Sequence, residues 1–181
     1  FTGGSVAISY LEIIDTAVKI GLGALISGVT TWKVTKLQHK NDNEKLRRTH
    51  KLESLESVAE QVEIFSHDAM IYWSKITDFT RKQENQAEIT SEFRDELNEA
   101  RTVLYHSYKN LNRAESKLLL LGLTESQQSL RMFGEVVSKF YGEVYIGSHG
   151  KPSGEVKLWR EDIMANRNIF FEDLNSAYEK L

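Results

Sequence analysis

LESLESVAEQVEIFSHDAMIYWSKITDF, residues 52–79, carries apolar side chains at Leu52, Leu55, Ala59, Val62, Phe65, Ala69, Tyr72, Ile76 and Phe79. The steps are mainly three and four residues, the repeat of one face of an α-helix and close to a heptad. Glu53, Glu56, Glu60, Glu63 and Asp68 occupy the opposite side, a charged face suited to water. The surroundings strengthen the helical reading. From Gly28 to Gly122 lie 93 residues with neither Gly nor Pro, and Pro152 is the single proline of the 181-residue chain. A sandwich or barrel needs a turn about every 8–12 residues, so this span excludes both. The expected fold class is all-α: a long N-terminal helix, running to about residue 80, followed by an antiparallel helical bundle.

Toward the N-terminus the composition changes twice. Residues 33–51 hold seven Lys or Arg against Asp42 and Glu44, a net +5, whereas 52–100 sum to −8 within an overall charge of −3. Before them, residues 11–34 read LEIIDTAVKIGLGALISGVTTWKV, with no charge from Ile20 to Trp32. A bilayer needs roughly 20 apolar residues, and reaching that length admits Asp15 and Lys19. The favoured expectation is a transmembrane helix at 11–34 and a basic juxtamembrane helix at 35–51. By the positive-inside rule this sets the 52–181 bundle on the cytoplasmic side of a bacterial inner membrane. An interfacial amphipathic helix and an ordinary core helix are the alternatives. Residues 1–10, beginning FTGGSVAIS, resemble a tag or processed end.

Within 11–34, Ala17, Gly21, Ala24 and Gly28 form a row of small residues that lets helices approach closely. Thr16, Lys19, Gly23, Ser27 and Thr30 form a polar stripe beside it. Thr16, Ala17, Lys19, Gly21, Gly23, Ala24, Ser27 and Gly28 are therefore the expected helix–helix or pore interface. Trp32, Lys33, Lys36 and Lys40 are the expected headgroup contacts. The partners this implies are a second copy of the chain, the lipid bilayer, and another protein docking on the bundle.

Toward the C-terminus, RKQENQAEITSE (81–92) is the first polar break, with Thr90 or Ser91 as a helix cap. A second seam runs through Phe93, Leu97, Ala100, Leu104, Tyr108, Leu111 and Leu118, and ends at Gly122. Thr124-x-x-Gln127 has the spacing of a capping box. The third helix carries Leu130, Phe133, Val137, Phe140, Tyr141 and Val144. GSHGKPSG (147–154) is a hinge, and the last helix carries Trp159, Ile163, Phe170, Leu174, Ala177 and Leu181. Four amphipathic helices with short loops favour an antiparallel bundle.

Cysteine is absent, which excludes disulfides, thiolate zinc sites and a cysteine nucleophile. Glu60, Glu63 and His67 share a helix side, but the chain lacks the Glu-x-x-His of di-iron bundles; no metal and no cofactor are expected. Gly150-Lys151 lacks phosphate-loop spacing, because Tyr145 and Pro152 stand where Gly and Ser/Thr are needed. One catalytic pairing stands out. Arg101-Thr-Val-Leu-Tyr-His106 fits the R-x(4–6)-H spacing and resembles the HEPN ribonucleases, an all-helical family. Thr102 departs from the polar Asn, Asp or His that usually follows the Arg. The resemblance implies that Arg101 would stabilise phosphate charge and His106 would do acid–base work on RNA, in a site shared by two protomers. The layout also looks like that of the small membrane-anchored HEPN-like proteins that accompany RNA-guided defence effectors.

The functional expectation is a single-pass, self-associating scaffold or small pore with a cytoplasmic interaction bundle, more an interaction protein than an enzyme. The ribonuclease reading, with RNA as partner, is the alternative. A soluble helical adaptor is the third.

Overall fold

The 52–79 seam lies in the C-terminal half of a much longer helix. In the computed structural model α1 runs Tyr10–Glu84, α2 Ser91–Leu120, α3 Thr124–Tyr145 and α4 Ser153–Glu179. The structure describes residues 10–145 and 151–180; for 10–30, 32–34, 37–41 and 145 it describes the backbone alone. No strand occurs among the described residues. The chain divides into two units, residues 1–48 and 49–181.

In the first unit, the described side chains Thr31, Thr35, Lys36 and residues 42–48 are all exposed. No helix among the described residues is long and apolar enough to cross a membrane. This overturns the bacterial inner-membrane placement with a cytoplasmic bundle, and leaves the transmembrane reading of 11–34 without support. The physical reason is legible in the chain. Its uncharged run, Ile20–Trp32, falls short of the roughly 20 residues a bilayer demands. The side chains of Thr16, Ala17, Lys19, Gly21, Gly23, Ala24, Ser27, Gly28, Trp32, Lys33 and Lys40 lie outside the described residues.

The second unit is the bundle. Ser57 and Lys75 of α1 meet Lys117 and Glu96 of α2, so these two helices run antiparallel. Glu115 of α2 meets Gln127 and Arg131 of α3. Glu143 of α3 meets Lys151, just before α4, and Arg167 of α4 returns to Glu63 of α1. Each helix therefore lies beside the next, and α4 closes on α1, in the antiparallel order that short loops impose.

The core follows the seams. Leu55, Val62, Phe65, Ala69, Tyr72 and Ile76 of α1 are buried, and Val58 joins them. Leu52, Ala59 and Phe79 are half-buried at the margin. From α2 come Ala100, Leu104, Leu111, Ala114 and Leu118; from α3, Leu130, Phe133, Val137 and Phe140; from α4, Val156, Ile163, Phe170, Leu174 and Ala177. Phe65 sits at the centre, its ring edge-on to Tyr108 at 4.9 Å and to Phe133 at 5.6 Å. Such pairs add about 0.5–1.5 kcal/mol beyond area burial.

The helix ends show which signals held. Thr90 accepts a hydrogen bond from Phe93 N–H at 3.3 Å and caps α2. Gly122, at φ +73, closes α2 with paired bonds from Leu123 N–H to Leu118 C=O and from Gly122 N–H to Leu119 C=O. This is the left-handed terminus that glycine favours. The expected capping box of α3 does not form, because the Gln127 amide reaches across to Glu115 at 2.7 Å.

α1 ends in the same paired-bond arrangement, Ala87 N–H to Lys82 C=O and Gln86 N–H to Gln83 C=O, but with Gln86 at φ +52. A side chain in this conformation costs roughly 1 kcal/mol. Gln86→Gly should therefore stabilise the protein by about 0.5–1 kcal/mol in urea denaturation, offset in part by added freedom of the unfolded chain.

Glu84, at the end of α1, caps α4 from outside. Its carboxylate accepts from Ser153 N–H at 2.6 Å and from Ser153 Oγ–H at 2.7 Å. These two bonds, the hydroxyl's first, hold the Glu84 pKa below the usual carboxylate range. The linkage has a definite sign. The stabilisation is complete above the ordinary carboxylate pKa and is lost as pH falls through the lowered folded value. In thermal melts, Glu84→Gln should unfold earlier than wild type at neutral pH, and the two curves should converge in acid.

Candidate functional site

Two grooves on the bundle bring chemistry-bearing residues together. One lies between α1 and α2. Three-to-four-residue spacing on each helix puts Asp68, Ile71 and Lys75 opposite Glu96, Glu99, Ala100 and Val103, around a volume of about 260 Å³. Ile71 and Val103 are exposed at 39% and 44%, and Ile64 is exposed one heptad before Ile71. Lys75 Nζ pairs with Glu96 across the groove. Asp68 and Glu99 have no ion-pair partner among the described residues. The site is an apolar strip with a predominantly acidic rim.

The other groove, about 530 Å³, lies between α2 and α3 and is lined by Tyr105, His106, Tyr108, Lys109, Asn112, Ser138 and Tyr141. Tyr108 packs its ring on Phe65 and buries its hydroxyl without a well-formed hydrogen bond. Burial pushes its pKa up to about 12, with Ser138 acting in the opposite sense. The phenol therefore stays neutral throughout the physiological range.

Arg101 and His106 both fall on α2. Five residues of helix turn through about 500°, so the two side chains leave the axis about 140° apart. His106 is exposed and lines the α2–α3 groove, which Arg101 does not line. Arg101 is half-buried and engaged in an interaction within the chain. One protomer does not bring the pair together. Glu60, Glu63 and His67 all face outward on α1, and Glu63 is taken up by Arg167. Among the described residues no three His, Asp or Glu gather as a metal site. Lys36 is exposed; Lys151 Nζ bonds Glu143, and this raises its pKa.

Sequence reasoning missed both grooves. Ile71 and Val103 lie off the buried seams and carried no periodic signal of their own. The α2–α3 groove depends on which faces of two helices meet. Its one sequence trace is the interleaving of Tyr105, Tyr108, His106 and Lys109 on a stretch without carboxylates.

Comparison with protein families, curated proteins and solved structures returns no match for this chain.

Proposed function

We propose that the protein is a homo-oligomeric helical scaffold, with the α1–α2 groove as its docking face and the basic stretch 33–51 of a second copy as the occupant. The observation that carries this reading is the apolar strip Ile71–Val103 set in an acidic rim. Charge complementarity supplies the occupant. Residues 33–51 sum to +5 and residues 52–100 to −8. Lys45, Arg47, Arg48 and Lys51 are exposed, and so is Leu46 at 55%. Leu46 offers an apolar knob for the strip; its basic neighbours match Asp68 and Glu99. Complementary potentials of this kind set orientation and speed encounter more than they add affinity.

The test is sedimentation velocity on the full chain over a range of salt. Oligomers that dissociate as salt rises support the docking of opposite charges. A monomer at every salt and protein concentration would refute the scaffold. The ribonuclease alternative rests on the spacing of Arg101 and His106. It expects single-stranded RNA cleavage that both Arg101→Ala and His106→Ala abolish; equal residual activity in the two variants would mark contamination.

A further inference from the structure

We propose that the α2–α3 groove binds a nucleotide, its base stacked on Tyr105 and its phosphate held by Lys109. The chemistry is set by what lines the groove and by what is missing from it. From Thr102 to Ala114, α2 carries His106, Lys109 and Arg113 and no Asp or Glu. The α3 wall contributes Ser138 and Tyr141, neither of them acidic. In a chain of net charge −3, this is a local excess of positive charge on a surface that also exposes aromatic rings.

Tyr105 is the most exposed Tyr, Phe or Trp among the described residues, at 65%. Its neighbour His106 stands nearly edge-on at 70° and 5.6 Å, so the tyrosine ring keeps area for a stacked base. Lys109 makes no ion pair or hydrogen bond among the described residues, unlike Lys75 and Lys151, which are paired with glutamates. Its charge is therefore available to an external anion. Asn112, one turn further along the groove, is likewise uncommitted and offers an amide donor and acceptor to a base edge. The volume, about 530 Å³, lies in the range of small-molecule sites.

Stacking on an aromatic side chain beside a cation is the recurrent way proteins hold single nucleotides without reading sequence. An acidic peptide would use Lys109 but not the open ring. The ligand chemistry, a planar base carrying a phosphate, fits a free mononucleotide and a nucleotide within a single strand alike.

The test uses the full chain at low salt. Calorimetric titration with AMP and UMP is run beside fluorescence anisotropy with labelled single-stranded oligoadenylate and oligouridylate. Tyr105→Ala and Lys109→Ala are compared with Lys180→Ala, which removes one exposed charge at the end of α4. All three positions are exposed, and circular dichroism confirms that each variant is folded. The expected result is saturable binding that Tyr105→Ala and Lys109→Ala each weaken about tenfold, with Lys180→Ala close to wild type. Mononucleotide binding assigns the site to free nucleotides, and binding of oligonucleotides alone assigns it to a strand; both support the proposal. No binding of either probe overturns it. Loss that is equal in Lys180→Ala, or no loss in Tyr105→Ala, overturns it as well, because binding would then be diffuse electrostatics.

Discussion

Phe133→Ala should lower the stability of the bundle by about 3–5 kcal/mol. Phe133 is fully buried on α3, and its ring meets Phe65 of α1 edge-on at 5.6 Å, interplanar angle 82°. Truncation removes the transfer free energy of the ring and leaves a cavity beside Phe65 in the buried core. Helix backbones pinned by hydrogen bonds collapse only partly into such a space. A domain of this size has roughly 5–15 kcal/mol in hand, so this change takes a large share of it. Urea denaturation followed by far-ultraviolet circular dichroism measures it. A loss below about 1 kcal/mol would mean that Phe133 is not at the centre of the core.

The second large effect falls on assembly, with the fold left intact. Ile71→Lys combined with Val103→Lys places two ammonium groups in the apolar strip of the α1–α2 groove. Both positions are exposed in the protomer, so each variant bundle should melt close to wild type, since exposed substitutions usually stay within about 0.5 kcal/mol. In the docked state the same ammonium groups lose water and face the leucine knob and the basic residues around it. The dissociation constant should rise about 30-fold or more, which corresponds to roughly 2 kcal/mol. Lys45→Glu with Arg48→Glu on the occupant side should weaken assembly too, and should also flatten its salt dependence.

The helical fold was readable because its signals are local and repeat. The seams at 52–79 and 93–118 name most of the buried residues, since a three-to-four-residue repeat is the packing face itself. Val58 escaped because it flanks the first seam, and Val156 because it lies one turn before the α4 seam; both are buried. The αL end of α1 escaped because Gln86 takes the conformation that sequence reading assigns to glycine. Gly134 is the reverse case. It lies inside α3, where a Cβ would come within 2.5 Å of Leu111 Cδ2, so its glycine marks a close approach of α2 that no turn signal announces. The cap of α4 escaped for a different reason. Its partner, Glu84, lies 69 residues away in the chain, and a contact at that range has no spacing to read.

The inner-membrane placement fell because no helix among the described residues is long and apolar enough to cross a membrane. Asp15 and Lys19 were admitted to extend a 13-residue uncharged run, and charge within an apolar segment is costly at membrane depth. The basic stretch that suggested a headgroup contact keeps its physical meaning with another partner, because an acidic protein face offers the same counter-charge. The Arg101–His106 spacing illustrates the limit of a short motif. It fixes a separation along the chain, whereas helical geometry sends the two side chains off in different directions.

The central claim is that the chain assembles through the α1–α2 groove. Sedimentation velocity of wild type beside the Ile71→Lys/Val103→Lys variant, at matched concentration and low salt, tests it most directly. The account predicts an oligomer for wild type, dissociating as salt is raised, and a folded monomer for the variant. An oligomer of unchanged mass in the variant, or a wild-type monomer at every concentration, would contradict it.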